Sequence, residues 1–289
     1  MRKFTFLLMF LALIVFPVKG WSLPINDLYI TLSEDYNGDG DAVTGLFDKI
    51  GFYDQSRSIY DVSSADELEV GVTFTDIGHA LATKFRRFGA LVEDREDMRT
   101  SPDVDPDFFS WELTIVWEIY GEVSNITSDV VSGRYTGGTV SIYLDESPDA
   151  DFARYSDITD DNFTSFTDGV KILEGTVITG DGSFKDFSTT DNFNRTVNLL
   201  LRIDEINTDY IQSETMDLGS LVSMGWVISV ATEGNDGATQ IIEGDGSMIA
   251  YGEGSGTITF AAVPEPATIL LVGGGLFLAG VIARRKIVK

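Results

Sequence analysis

Trp111-Glu-Leu-Thr-Ile-Val-Trp-Glu-Ile-Tyr120 alternates apolar and polar side chains over ten positions. Trp111, Leu113, Ile115, Trp117 and Ile119 fall on one face, and Glu112, Thr114 and Glu118 on the other. A period of two sustained this long predicts a β-strand with one face in a core and the other toward solvent. Thr139-Val-Ser-Ile-Tyr-Leu-Asp145 repeats the pattern through Val140, Ile142 and Leu144. Working outward, Leu68–Thr75, Val170–Ile178, Thr196–Ile203, Met224–Thr232 and Gly256–Val263 read as further strands. Gly137-Gly138 and Gly180-Asp-Gly182 read as turns between such runs. Helix-period segments are scarce: Gly78–Phe88 is the best, Ala42–Phe52 the second. The expectation is a mainly β chain folded as an antiparallel β-sandwich or jelly roll. Glu93–Asp107, acidic and carrying Pro102 and Pro106, reads as a long surface loop within a single domain.

The two ends stand apart from this pattern. Met1-Arg2-Lys3 precedes an apolar core from Phe4 to Phe16, and Pro17-Val18-Lys19-Gly20 breaks it. This reads as a secretory signal peptide over residues 1–20, with cleavage by signal peptidase after Gly20 or Ser22. At the other end, Val263-Pro264-Glu265-Pro266 leads into seventeen uncharged residues, Ala267–Ala283, and then Arg284-Arg285-Lys286. Seventeen helical residues rise roughly 25 Å, near the lower limit for crossing a bilayer. The basic cluster behind them predicts a cytoplasmic end. The domain of interest is therefore 21–262, with a tail at 263–289.

Pro-Glu-Pro, an apolar helix and a short Arg-rich end resemble the PEP-CTERM sorting signal of Gram-negative bacteria that make exopolysaccharide. The resemblance implies processing near Pro264, Glu265 and Pro266 by a membrane protease of the exosortase type. It implies transient anchoring in the inner membrane, then an extracellular or cell-surface location. A second resemblance lies in the middle. Leu46-Phe-Asp-Lys-Ile-Gly-Phe-Tyr-Asp54, Gly71-Val-Thr-Phe-Thr-Asp-Ile-Gly78, Trp111-Glu-Leu-Thr and Gly138-Thr-Val-Ser-Ile-Tyr-Leu-Asp145 are similar to blocks of flocculation-associated PEP-CTERM proteins. That group implies a role in cell aggregation within exopolysaccharide, and it supplies no catalytic motif.

Seven of the 20 Lys and Arg but one of the 46 Asp and Glu lie in the two ends. The remainder, 21–263, holds 13 against 45, a net charge of −32. Such a surface repels nucleic acid and anionic lipid and attracts divalent cations. There is no cysteine, which excludes disulfides, thiol catalysis and cysteine-bound metal.

Three constellations bear on chemistry. Asp35, Asn37, Asp39 and Asp41, with Gly40 at the sixth position, match the start of a calcium loop. Its twelfth position is Leu46, so a nearby acid such as Asp48 would have to complete a Ca2+ site; the alternative reading is an Asp/Gly turn. Asp145-Glu-Ser-Pro-Asp149-Ala-Asp151 leaves a strand with four acids in seven residues, and reads as an exposed acidic turn or a second cation site. Glu112 and Glu118, six strand residues apart, are separated by about 20 Å, too far for a glycosidase pair needing roughly 5–9.5 Å. His79 is the single histidine and has no nucleophile signature around it. These readings point to a secreted, non-enzymatic matrix protein that associates with exopolysaccharide in floc or biofilm formation. The competing readings are a polysaccharide-acting enzyme and a carbohydrate-binding module that stacks sugars on Trp111 and Trp117.

Overall fold

The computed structural model describes residues 23–128, 130–150, 152, 160–185, 194–223, 225–234, 241–244 and 247–262. Residues Pro24–Ala261 form one compact unit. The strands are β1 Leu23–Pro24, β2 Leu28–Ile30, β3 Lys49–Tyr60, β4 Thr73–Arg87, β5 Ala90–Leu91, β6 Glu112–Ile126 and β7 Val130–Asp145. They continue with β8 Val170–Lys185, β9 Asn194–Ile206, β10 Ile211–Ser213, β11 Val227–Gly234, β12 Ile241–Gly244 and β13 Ser247–Ala262. The eight long strands run β3-β4-β6-β7-β8-β9-β11-β13, every neighbour antiparallel. The last pairs with the first, from Lys49 opposite Thr259 to Tyr60 opposite Met248.

The chain is mainly β, as its alternation predicts, but the architecture is a closed up-and-down barrel and not a sandwich or jelly roll. Local alternation is the same in all three. What separates them is the pairing of β13 with β3, between segments about 200 positions apart, and no local pattern reports it.

Gly78–Phe88, expected as a helix, lies in β4 up to Arg87, with Phe88 in the turn that follows. Its lower half is buried on both faces, with Ala80 and Ala82 inside the barrel and His79 and Leu81 covered outside. A doubly buried strand loses its alternation and mimics helical spacing. Ala42–Phe52 is non-helical until β3 begins, and Leu68–Thr75 becomes strand only at Thr73. Gly137-Gly138 and Gly180-Asp-Gly182 lie inside β7 and β8, not at turns.

Inward positions pair large rings with glycines. Trp117 lies over Gly78, Phe74 over Gly121 and Gly133, and Phe52 over Gly256; a Cβ on Gly78 would sit 2.2 Å from the Trp117 ring. The lumen is thus packed with side chains, as expected for eight strands. At the basal end, where β3 starts, Ile25, Leu28, Ile30 and Phe47 are buried as a cap. β2 pairs with β10 there, and Phe47 stacks on Phe85 at 4.5 Å. Both ends of the barrel unit emerge here: the Ile25 N–H donates to the Phe260 carbonyl at 3.3 Å.

Candidate functional site

Gly20, Pro264, Glu265, Pro266, Arg284, Arg285 and Lys286 lie outside the described residues, as does the apolar run 267–283. Among the described residues no helix is long and apolar enough to cross a membrane.

The Asp35–Asp41 segment forms a tight loop before the barrel. Asp35 accepts from the N–H groups of Gly38, Asp39 and Gly40 at 2.7, 3.2 and 2.9 Å. Asn37 accepts from the Asp39 N–H at 2.8 Å, Asp39 from the Asp41 N–H at 3.2 Å, and Asp41 from the Val43 N–H at 3.2 Å. Asp48 does not join them, because its carboxylate accepts the Phe88 N–H at 3.0 Å. The acid that arrives is Glu96, from the segment expected to be a surface loop. One Glu96 oxygen accepts the Tyr36 and Asn37 N–H groups at 3.0 and 3.3 Å; the other is buried with no partner among the described residues.

One oxygen each from Asp35, Asp39 and Glu96 lie within 4.8 Å of one another. Desolvation, with the charges of Asp94 and Asp39, raises the Glu96 pKa above its usual value against its two backbone hydrogen bonds. Asp94 is raised similarly by desolvation and by Asp39 and Asp41. Crowded like charges with a free buried oxygen are a chemistry that a hard divalent cation relieves. Glu96 was missed because it lies 55 positions beyond Asp41; the only sequence signal is the acidity of its loop.

The second acidic group assembles differently. Glu112, expected to face solvent, is fully buried. It pairs with Arg99 at 2.9 Å and accepts the Asp149 and Ala150 N–H groups at 3.1 and 2.7 Å. The 149–150 segment lies against the barrel wall at this point, so an outward side chain becomes an interior one. Asp145 and Asp149 approach Glu112, but the Arg99 guanidinium already neutralises the position.

Two further features are polar. Inside the upper barrel, Arg195 pairs with Asp54 and bonds Ser56. Asp76 accepts the Trp117 indole N–H at 2.8 Å, Ser58 at 3.0 Å and Tyr135 at 3.3 Å. A cavity of about 30 Å³ beside Asp76, Trp117 and Arg195 has room for one water. At the far end, where β3 stops, an open groove of about 410 Å³ is lined by Tyr60, Phe74, Thr73, Thr75, Tyr120 and Thr136. Tyr120 is 46% exposed there. Trp111 is fully buried and Trp117 half-buried against Gly78 and Asp76, so they do not form an exposed platform.

Residues 262–286 match the family model of the PEP-CTERM protein-sorting motif. The chain carries a PEP-CTERM sorting motif. It begins one residue past the barrel unit, which ends at Ala261. A PEP-CTERM motif implies an exported protein targeted to an exosortase and sorted to the surface or beyond. No curated protein matches the chain. One solved structure, the TodX monoaromatic hydrocarbon channel deltaS2 mutant, is similar at 7% identity over 83% of this chain and 93% of that one. Its TM-score of 0.13 carries no argument about fold.

Proposed function

We propose that the protein is a secreted, non-enzymatic component of the extracellular matrix that associates with exopolysaccharide in cell aggregation. The observation that carries the reading is the PEP-CTERM motif joined directly to a strongly acidic barrel. The far-end groove supports the polysaccharide part, because an exposed tyrosine among threonine hydroxyls suits sugar stacking and hydrogen bonding. The non-enzymatic part is supported by the commitment of three buried carboxylates of the barrel. Asp54 and Glu112 hold arginines, and Asp76 holds Trp117, Ser58 and Tyr135. Ca2+ is proposed at Asp35, Asp39 and Glu96, with Asn37 and Asp41 shaping the loop.

Tyr120→Ala tests the ligand. The variant should melt like the parent and lose co-sedimentation with the exopolysaccharide of the producing cells. Undiminished co-sedimentation would remove the groove from the reading. Alanines at Pro264, Glu265 and Pro266 test the sorting: the variant should remain uncut and membrane-held, and release at the parental rate would refute processing at that point.

A further inference from the structure

The hairpin Arg86-Arg87-Phe88-Gly89-Ala90-Leu91 is anomalous in composition, conformation and place. β4 and β5 pair Arg87 with Ala90, leaving the two-residue turn Phe88-Gly89. Both turn residues have positive φ, 51° and 83°. Turns of this kind select Asn, Asp or Gly, and a bulky ring pays a steric cost there. Phe88 is nonetheless 72% exposed and Leu91 46% exposed.

Cations surround them. Lys49 lies opposite Arg86 in the register, and Lys84 is two residues away on the same outward face. Arg87 sits over the Phe88 ring at 5.5 Å. So four of the 13 Lys and Arg in residues 21–263 gather at one corner. None of the four makes an ion pair with a carboxylate among the described residues, whereas Arg99, Arg134, Lys171, Arg195 and Arg202 all do. Asp48, the acid beneath the turn, is buried. Asp94, just beyond it, is bonded to Asn37.

The corner adjoins both ends of the barrel unit. Arg87 donates to the Asn26 carbonyl at 2.8 Å. Asp48 holds the Phe88 N–H through its side chain and the Phe260 N–H through its carbonyl at 3.1 Å. From Ala261 to the apolar run at Ala267 there are six residues, about 20 Å at full extension.

We propose that this hairpin is a membrane-surface contact. While the chain is held by its sorting tail, Phe88 and Leu91 enter the interface of an anionic bilayer, and Lys49, Lys84, Arg86 and Arg87 meet the lipid phosphates. The rest of the acidic surface is repelled by the same bilayer, so the contact sets which end of the barrel faces it. The inference rests on the tail acting as a membrane tether.

The absence of native cysteine allows a direct test. Full-length Phe88→Cys carries an environment-sensitive fluorophore and is reconstituted into phosphatidylcholine vesicles with or without phosphatidylglycerol; Val70→Cys, 62% exposed, is the control. The expected result is a blue shift and loss of iodide quenching at position 88 alone, and only with phosphatidylglycerol. Lys49→Glu with Lys84→Glu should abolish it, and Arg86→Lys with Arg87→Lys should keep it. A chain that floats with the vesicles while position 88 stays as wet as position 70 overturns the contact and leaves the tether intact. A chain that fails to float removes both. A shift that needs added exosortase replaces the lipid with a protein surface and overturns the proposal.

Discussion

Glu112 has no exposure, yet it is a carboxyl in a β-barrel wall with both oxygens engaged: one on Arg99, the other on two backbone N–H groups. Desolvation raises its pKa above the usual range, and those partners oppose the rise. Removing one side of a buried pair strands the other, at about 3–5 kcal/mol. Glu112→Ala should therefore lower stability by that order in chemical denaturation, and Glu112→Gln by less, because the amide oxygen still accepts from Asp149 and Ala150. Trp111→Ala should cost about 3–5 kcal/mol, since the ring is fully buried and its indole donates to the Glu96 carbonyl at 2.6 Å.

His79 behaves oppositely. Phe166, Phe152 and Phe163 surround it at 4.1, 5.2 and 5.3 Å, and burial lowers its pKa to about 3. The unfolded chain takes the proton first, near the ordinary value of 6.5. Stability from this site is present above that value and is lost as pH falls toward 3. Each unit within the window costs up to about 1.4 kcal/mol. Melting temperatures measured from pH 7 to pH 4 should fall, and His79→Phe should flatten the lower part of that curve. An unchanged slope would mean that His79 is not the titrating group.

Among the elements, β6 shows what a strand pattern can and cannot say. Its inward set, Leu113, Ile115, Trp117 and Ile119, is the apolar face read from the sequence, and the pairings of Ile115 with Ile142 and Trp117 with Val140 place it in the lumen. The other face misleads, because Glu112 and Thr114 are covered by segments that arrive from positions 99, 149–150 and 166. β4 was hidden for the same reason. Gly78 in that strand has a Cβ position 2.2 Å from the Trp117 ring and 2.7 Å from the Gln55 carbonyl. The carbonyl cannot swing away, so Gly78→Ala should destabilise by about 1–3 kcal/mol through overpacking. Denaturant midpoints for the parent and variant check this.

The 35–41 loop was legible in its oxygens and illegible in its closing acid. Calcium bound to the folded state alone would add about 2.7 kcal/mol at a hundredfold excess over Kd, and less at a weak site. Millimolar calcium should raise the melting temperature, with Glu96→Gln cancelling the gain. An equal rise with magnesium would reduce the effect to general charge neutralisation.

For the whole molecule, the sorting motif was readable because it is written as a short linear order, Pro-Glu-Pro, apolar run and basic end. The barrel was not, because closure is a relation between Lys49–Tyr60 and Ser247–Ala262. That relation also fixes an order of events in time. An exported chain emerges from its N-terminus, and seven long strands are outside before the partner of β3 arrives. Until β13 emerges, β3 and β11 each present a long row of unpaired backbone groups, the kind of surface that recruits other chains or is cut by proteases. Pairing across some 200 residues also carries a large loop-closure cost, and it is slow compared with local hairpins. The sorting motif follows within a residue of the closing strand, so if the tail pauses in a membrane, as proposed above, β13 would be kept near its partners while the ring is completed. Tail retention would then act as a folding delay. A chain whose motif is cut too early would be released with its seam open, and would be found aggregated or degraded before it reached the matrix.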